Sequence, residues 1–131
     1  MPNGFQGPKE EWDRMEAPLL EIDQQLRLFA QANRMEYSSN YHSWPERSLE
    51  WHKNRVIRTI QIYLQDEKKL TFNIWLCAYQ ARMGRRWKNT YLIKDASFDV
   101  IRDNLRQLLG DGVKILEAWD ESTLELIPDP K

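Results

Sequence analysis

Three side chains in this sequence can serve as soft ligands or nucleophiles: His42, His52 and Cys77. A thiol and an imidazole can form a nucleophile–base pair, so His42, Arg47, His52 and Cys77 define one enzyme reading. Their spacing matches no metal-ligand pattern such as Cys-x-x-Cys. There is no glycine-rich phosphate loop, no Gly-x-Ser-x-Gly and no His-Glu-x-x-His. Cys77 stands within an apolar alternation, where a small filler is expected, and no neighbour in sequence would lower its pKa. These features favour a non-catalytic chain with no metal and no cofactor.

Binding chemistry is better represented. The segment from Tyr41 to His52 packs Tyr41, His42, Trp44, Arg47, Trp51 and His52 around Pro45, and Tyr, Trp and Arg dominate binding hot spots. The bland account is that Trp44 and Trp51 plug one end of the core while Arg47 pairs with a helix carboxylate. A second signal lies in the charge. The whole chain is close to neutral, formally −1, yet residues 1–50 carry net −4, residues 51–94 net +8 and residues 95–131 net −5. In the basic middle third, Arg55, Arg58, Lys68, Lys69, Arg82, Arg85, Arg86 and Lys88 are interleaved with Tyr63, Trp75, Tyr79, Trp87 and Tyr91. Cations among flat rings suit single-stranded nucleic acid, through phosphate neutralisation and base stacking. They suit an acidic protein surface equally, through steering and charge-assisted hydrogen bonds. Alternatively, acidic helices balance a basic sheet within one globule.

The elements that must position these groups centre on a hairpin. Arg55–Leu64 and Leu70–Tyr79 are rich in β-branched and aromatic residues and alternate with period two, around the charged Gln65–Lys69 connection. Pairing Leu64 with Leu70 sets Ile62 against Phe72, Ile60 against Ile74 and Arg58 against Leu76, one nearly continuous apolar face. The other face collects Ile57, Thr59, Gln61, Tyr63, Thr71, Asn73, Trp75, Cys77 and Tyr79. Met35–Trp44 reads as an edge strand. A turn at Lys53-Asn54 joins Arg47–Trp51 to the hairpin, with Trp51 opposite Val56. Arg86–Lys94 reads as a further strand with Trp87, Asn89, Tyr91 and Ile93 turned to the core, which requires a bulge in the loop around Gly84.

Two helices flank the strands. Trp12, Met15, Leu19, Ile22, Leu26 and Phe29 repeat at alternating spacings of three and four, with a kink or fresh start expected at Pro18. Ile101, Leu105, Leu108, Gly112, Ile115 and Trp119 form a second stripe, capped by Asp95 or Ser97 and weakened by Gly110 and Gly112. The expected fold is α+β: a two-layer sandwich whose antiparallel sheet of four to five strands carries an N-terminal and a C-terminal helix on one face. Residues 1–8 read as a flexible lead-in, 9–119 as a single domain and 120–131 as a loosely docked tail. The 131 residues contain no run of apolar residues long enough for a membrane span, and the lone cysteine favours a reducing, cytoplasmic setting.

The functional expectation is a small cytoplasmic binding protein that holds an acidic protein partner on a basic, aromatic sheet face and its loops. The residues proposed to do so are Gln61, Tyr63, Asn73, Trp75, Tyr79, Arg82, Arg85, Arg86 and Lys88, with Tyr41, His42, Trp44 and Arg47. Single-stranded nucleic acid on the same face is the first alternative and the His/Cys/Arg enzyme the second. A homodimer through the open face is a further form the partner can take.

Overall fold

Period-two segments joined by short connections favour a sheet of successive hairpins, and this chain carries several such segments in a row. The computed structural model describes residues 9–40, 46–66, 68–81 and 86–126. The lead-in 1–8, Tyr41, His42, Trp44, Arg82, the Gly84 loop, Arg85 and the end of the tail lie outside them. The elements are α1 (Lys9–Ala32), β1 (Glu36–Asn40), β2 (Glu46–Lys53), β3 (Val56–Asp66), β4 (Thr71–Gln80), β5 (Arg86–Ser97), α2 (Phe98–Glu117) and β6 (Glu125–Leu126). The strands form one antiparallel sheet in the order β1-β2-β3-β4-β5-β6. The class is therefore α+β with an open antiparallel sheet. It has six strands rather than four or five, the sixth coming from the segment read as a tail.

Both central registers differ from the expected ones by two residues. Asn54 and Arg55 adopt φ of 52° and 66°, the paired positive values of a type I′ turn, so the β2–β3 turn lies one residue later than Lys53-Asn54. Trp51 then faces Arg58, and Leu49 faces Ile60. In the β3–β4 hairpin Ile62 faces Ile74 and Leu64 faces Phe72. Here the Asp66 carboxylate accepts the backbone N–H groups of Lys68 (2.9 Å) and Lys69 (3.0 Å), Leu70 takes a φ of 53°, and Gln65 bulges out of the ladder. A slip of two leaves every side chain on its face, which is why alternation alone does not distinguish these registers.

The third correction does move side chains across the sheet. β5 pairs with β4 as Trp87–Tyr79, Asn89–Cys77 and Tyr91–Trp75, with irregularities on either side of Ile74. The slips fall inside β5, around Leu92 and Asp95 (φ 53°), and the ladder nearest the loop is regular. Trp87, Asn89 and Tyr91 consequently lie with Trp75 and Tyr79, away from the apolar face, and only Ile93 of the expected set faces it, opposite Ile74.

That apolar face receives the helices. Ile60, Ile62, Phe72, Ile74, Leu76 and Ala78 form a continuous core with Leu19, Ile22, Leu26 and Ala30 of α1 and with Ile101, Leu105, Leu109 and Leu116 of α2. α2 lies against β3, β4 and β5, and α1 against α2, β1 and β2. α1 continues through Pro18 as one helix, and Arg34, at φ 57°, ends it while the Met35 N–H donates to the Ala30 carbonyl. α2 is likewise one helix, with Ser97 as its cap accepting from the Val100 N–H at 3.3 Å. Its buried stripe is Ile101, Leu105, Leu109, Gly112 and Leu116. Leu108 and Ile115, expected at its centre, are half-buried at its side, because an unbroken helix of period 3.6 carries the stripe through Leu109.

Gly112 belongs to that stripe for a steric reason. A Cβ there would stand 3.1 Å from Leu76 Cδ2 and 3.4 Å from Ile60 Cδ1, so the helix backbone approaches the sheet at this point. At Gly110 a Cβ would meet nothing within 4 Å. Gly110→Ala should therefore stabilise the fold by about 0.5–1 kcal/mol through helix propensity. Gly112→Val should instead cost about 1–3 kcal/mol by overpacking. Urea denaturation of the two variants separates close approach from mere helix weakness. Ile74→Ala, in the centre of the same face, should cost about 2–5 kcal/mol by the same measurement.

Candidate functional site

The face turned away from the helices is assembled by the alternation of β1 to β5. Its residues form cross-strand rows: Ser38, Ser48, Gln61, Trp75 and Tyr91; then Glu36, Glu50, Thr59, Cys77 and Asn89; then His52, Ile57, Tyr79 and Trp87, reaching Glu125 of β6. Two aromatic pairs, Trp75–Tyr91 and Tyr79–Trp87, thus sit directly opposite one another on β4 and β5, and Tyr63 joins them from β3. Among the described residues no helix or strand packs over this layer. Tyr91 is 42 % exposed, and Tyr63, Trp75, Tyr79 and Trp87 are half-buried by one another and by the sheet.

The polar tips of several rings are satisfied within the layer. Tyr63 Oη and Tyr91 Oη share a hydrogen bond of 2.9 Å, and Trp75 Nε1 donates to Asn89 Oδ1 at 3.3 Å. Asn73, only 5 % exposed, is the hub beneath them. Its Nδ2 donates to Tyr63 Oη (3.1 Å) and Gln65 Oε1 (2.8 Å), and its Oδ1 accepts the Asp95 N–H (2.9 Å). One amide therefore ties together the bulges on both flanking strands. The bond to Tyr63, followed by burial, raises the pKa of Tyr91, while burial and then the charge of Glu50 raise that of Tyr79. Tyr79 and Tyr91 stay neutral at physiological pH, and the layer offers apolar area with the Tyr63 and Tyr91 hydroxyls occupied by each other.

Of the cations proposed for this face, Arg47, Arg86 and Lys88 are elsewhere, and Arg58 keeps the apolar face on which alternation sets it opposite β4. Arg47, Arg58, Arg86 and Lys88 all alternate to the helix side. Arg47, 4 % exposed, binds Asp23 of α1 through Nε and, at 3.4 Å, through Nη2. Tyr37 Oη donates to the same carboxylate at 2.6 Å, and burial with that bond drives the tyrosine pKa upward. Arg86 Nη1 donates to the Leu124 carbonyl (3.3 Å), and Lys88 Nζ lies 5.4 Å from the centre of the Trp119 ring. Lys68 and Lys69 are exposed in the β3–β4 turn, and Lys94 Nζ stands 4.5 Å over the Tyr91 ring. The charges on the open face itself are mainly carboxylates: Glu36, Glu46 and Glu50 on β1 and β2, with Glu125 on β6.

Of the residues singled out in the sequence, Gln61, Tyr63, Asn73, Trp75 and Tyr79 share the open face, while Arg47, Arg86 and Lys88 do not. Tyr41, His42, Trp44, Arg82 and Arg85 lie outside the described residues. Trp87, Asn89 and Tyr91, expected in the core, belong to the face instead. The signal that locates them is the pair Leu92-Ile93, two adjacent apolar residues that break the alternation where β5 slips. The enzyme constellation does not assemble among the described residues. Cys77 faces the open side and Arg47 the helix side, and burial pushes the Cys77 thiol up to about 11, so it is protonated at neutral pH. His52 pairs at 3.8 Å with Glu50, and no three His, Cys, Asp or Glu side chains converge among the described residues as a metal would require. No described helix is long and apolar enough to cross a membrane. On the helix side a groove of about 340 Å³ between α1 and α2 is lined by Gln25, Leu28, Phe29, Ala32, Arg106 and Leu109, with a single charged group. No protein-family model, curated protein or solved structure matches the chain.

Arg58 differs from the other cations on the helix side in spanning three main-chain carbonyls. It is 1 % exposed, and its guanidinium donates to the carbonyls of Leu116 (2.8 Å), Lys53 (2.8 Å) and Trp119 (2.9 Å). Arg58→Met should cost about 2–4 kcal/mol, because the Lys53 and Trp119 carbonyls lose this donor at about 1–3 kcal/mol each, while Leu116 keeps the Trp119 N–H and the retained apolar stem recovers part of the loss. Arg58→Lys should also destabilise, since an ammonium has no planar fork to span three carbonyls. Chemical denaturation of both variants is the check; a lysine variant as stable as the parent would show that charge alone suffices.

Proposed function

We propose that this protein is a non-catalytic binding protein that holds a protein partner on its open sheet face. The observation that carries the reading is the layer of Tyr63, Trp75, Tyr79, Trp87 and Tyr91, which no described element covers. Uncovered apolar area on a small domain marks an interaction surface, and rings prearranged by neighbours lose little entropy on binding. The internal bonds of Tyr63, Tyr91 and Trp75 favour recognition through area and shape. The carboxylates beside the rings oppose a strand of phosphates, which weighs against the nucleic-acid alternative. An acidic partner, expected from the basic middle third, would engage Lys68, Lys69 and Lys94 at the hairpin end of the face. The single free thiol, Cys77, fits a cytoplasmic setting.

Asn89→Arg places a charge among the rings at an exposed position and should leave the thermal midpoint within a few degrees of the parent. Tagged chain added to extract of its native host should elute earlier on size exclusion than purified chain, resist nuclease treatment, and lose the shift as Asn89→Arg. A concentration-dependent dimer of the pure chain, abolished by the same variant, would equally satisfy the reading, with a second copy as partner. Absence of both behaviours, a nuclease-sensitive shift, or an Asn89→Arg protein that still shifts would overturn it.

A further inference from the structure

The open face has a charge asymmetry that says what its occupant should carry. Glu36 and Glu50 stand directly opposite each other on β1 and β2, on the open side, and Glu46 lies four residues from Glu50 along the same edge of that face. Like charges directly across a ladder are destabilising, so an antiparallel pair ordinarily avoids them. Among the described residues no lysine or arginine forms an ion pair within 4.0 Å with any of the three carboxylates (Arg47 reaches only the Glu46 main-chain carbonyl), and His52 stands 3.8 Å from Glu50. The cations that could have offset them within the fold, Arg47 and Arg58, are turned to the helix side and bound there.

The rings begin on the next strands. Glu50 shares a row with Thr59 and Cys77, and its charge reaches Tyr79, one step along β4. A cation set between these groups is attracted from both sides, by the carboxylates and by the negative faces of the rings. The chain already shows one such contact on this face, where Lys94 rides over Tyr91.

We propose that the partner seated on this face presents a basic segment, with arginine or lysine side chains lying between the Glu36–Glu46–Glu50 edge and the aromatic layer of β4 and β5. The inference rests on the binding reading above and adds to it the sign of the partner's charge, opposite to that expected from the linear sequence. A basic segment relieves the like-charge pair on binding, whereas an acidic one aggravates it, so electrostatics discriminate between them.

The test uses the full chain and two tagged peptides of equal length. In one, arginine alternates with threonine and valine; in the other, glutamate replaces every arginine. Binding is followed by fluorescence anisotropy and mapped by amide NMR. The arginine peptide should bind about tenfold or more tightly than the glutamate peptide, weakening as salt rises. Its shifts should fall on β1, β2 and the open-face residues of β3–β5. Glu36→Gln/Glu50→Gln should remove most of the preference, and Trp75→Ala should weaken the arginine peptide further. Equal or tighter binding of the glutamate peptide would overturn the inference. If Trp75→Ala abolished that binding, the face would still be a binding face, which keeps the two readings separable. Shifts confined to the acidic outer side of α2, at Asp99, Asp103 and Asp111, would overturn it, because attraction would then be general. Failure of the arginine peptide to bind would overturn it too, leaving the extract experiment to judge the face by itself.

Discussion

The guanidinium of Arg58 is the contact on which the two layers depend. α2 ends near the sheet, where its last carbonyls take only the short bonds from the Ala118 and Trp119 N–H groups, and a buried helix end short of donors is costly. Arg58 enters from the middle of β3 and satisfies Leu116 in the last turn, Trp119 just beyond it and Lys53 at the end of β2. A cation at a helix C-terminus is also favoured by the macrodipole, and the charge of this one is felt by Asp120 just beyond the helix, whose pKa it helps to lower after the bonds from Ser122 and Thr123. Around it Trp51 Nε1 donates to Glu117 at 3.2 Å and Lys53 pairs with Glu117 at 3.3 Å, which closes the same corner from β2. The consequence reaches the far side of the sheet. Once Arg58 must point toward α2, alternation sends Thr59, Gln61 and Tyr63 outward, and the composition of the open face follows from a bond made on the other side.

The two faces of the central hairpin are legible in the sequence because period two is all that is needed to separate Ile60, Ile62, Ile74 and Leu76 from Gln61, Tyr63, Asn73 and Trp75. The register is not legible, since pairings two residues apart give the same faces. What selects among them is turn chemistry: consecutive left-handed residues at Asn54 and Arg55, and the Asp66 side chain bound to two backbone amides. Arg55 and Leu70 adopt backbone conformations that their residue types resist, so reading propensity favours the wrong turn at the first and gives no turn signal at the second. In β5 the failure is different in kind. One bulged residue exchanges the faces; the sequence suggests the loop before the strand for it, whereas it falls at Leu92, with a second bulge at Asp95. The helices were legible as stripes, with the apolar positions of α1 recovered from Leu19 onward and those of α2 displaced from Leu108 to Leu109.

Charge was the least legible property of the site. A count along the chain places eight net positive charges between residues 51 and 94, and it is natural to assign them to the sheet surface. Strand alternation instead sorts them by parity, and Arg58, Arg86 and Lys88 share the helix-facing parity with Ile60 and Leu76. Most of the cations there serve main-chain carbonyls or aromatic rings. The acidic ends of the chain, meanwhile, contribute Glu36, Glu46 and Glu50 to the opposite face through β1 and β2. Linear charge blocks predict association only where the elements that carry them display all their side chains to water, and a strand displays half.

The network under Asn73 then decides how the open face can recognise anything. An amide buried to 5 % exposure and holding Tyr63, Gln65 and the Asp95 backbone makes the end of the layer near the β3–β4 turn rigid. With Tyr63 and Tyr91 bonded to each other and Trp75 bonded to Asn89, the rings keep few donors to offer an incoming group. Selectivity by hydrogen-bond matching is therefore weak over the aromatic half, where any apolar surface of suitable shape gains contact area. The edge on β1 and β2 works in the opposite way, because its carboxylates retain their acceptor lone pairs and their charge. Shape and area are read at one side of the face and charge at the other, and an occupant must span both, across strands spaced about 4.8 Å apart, to gain from each.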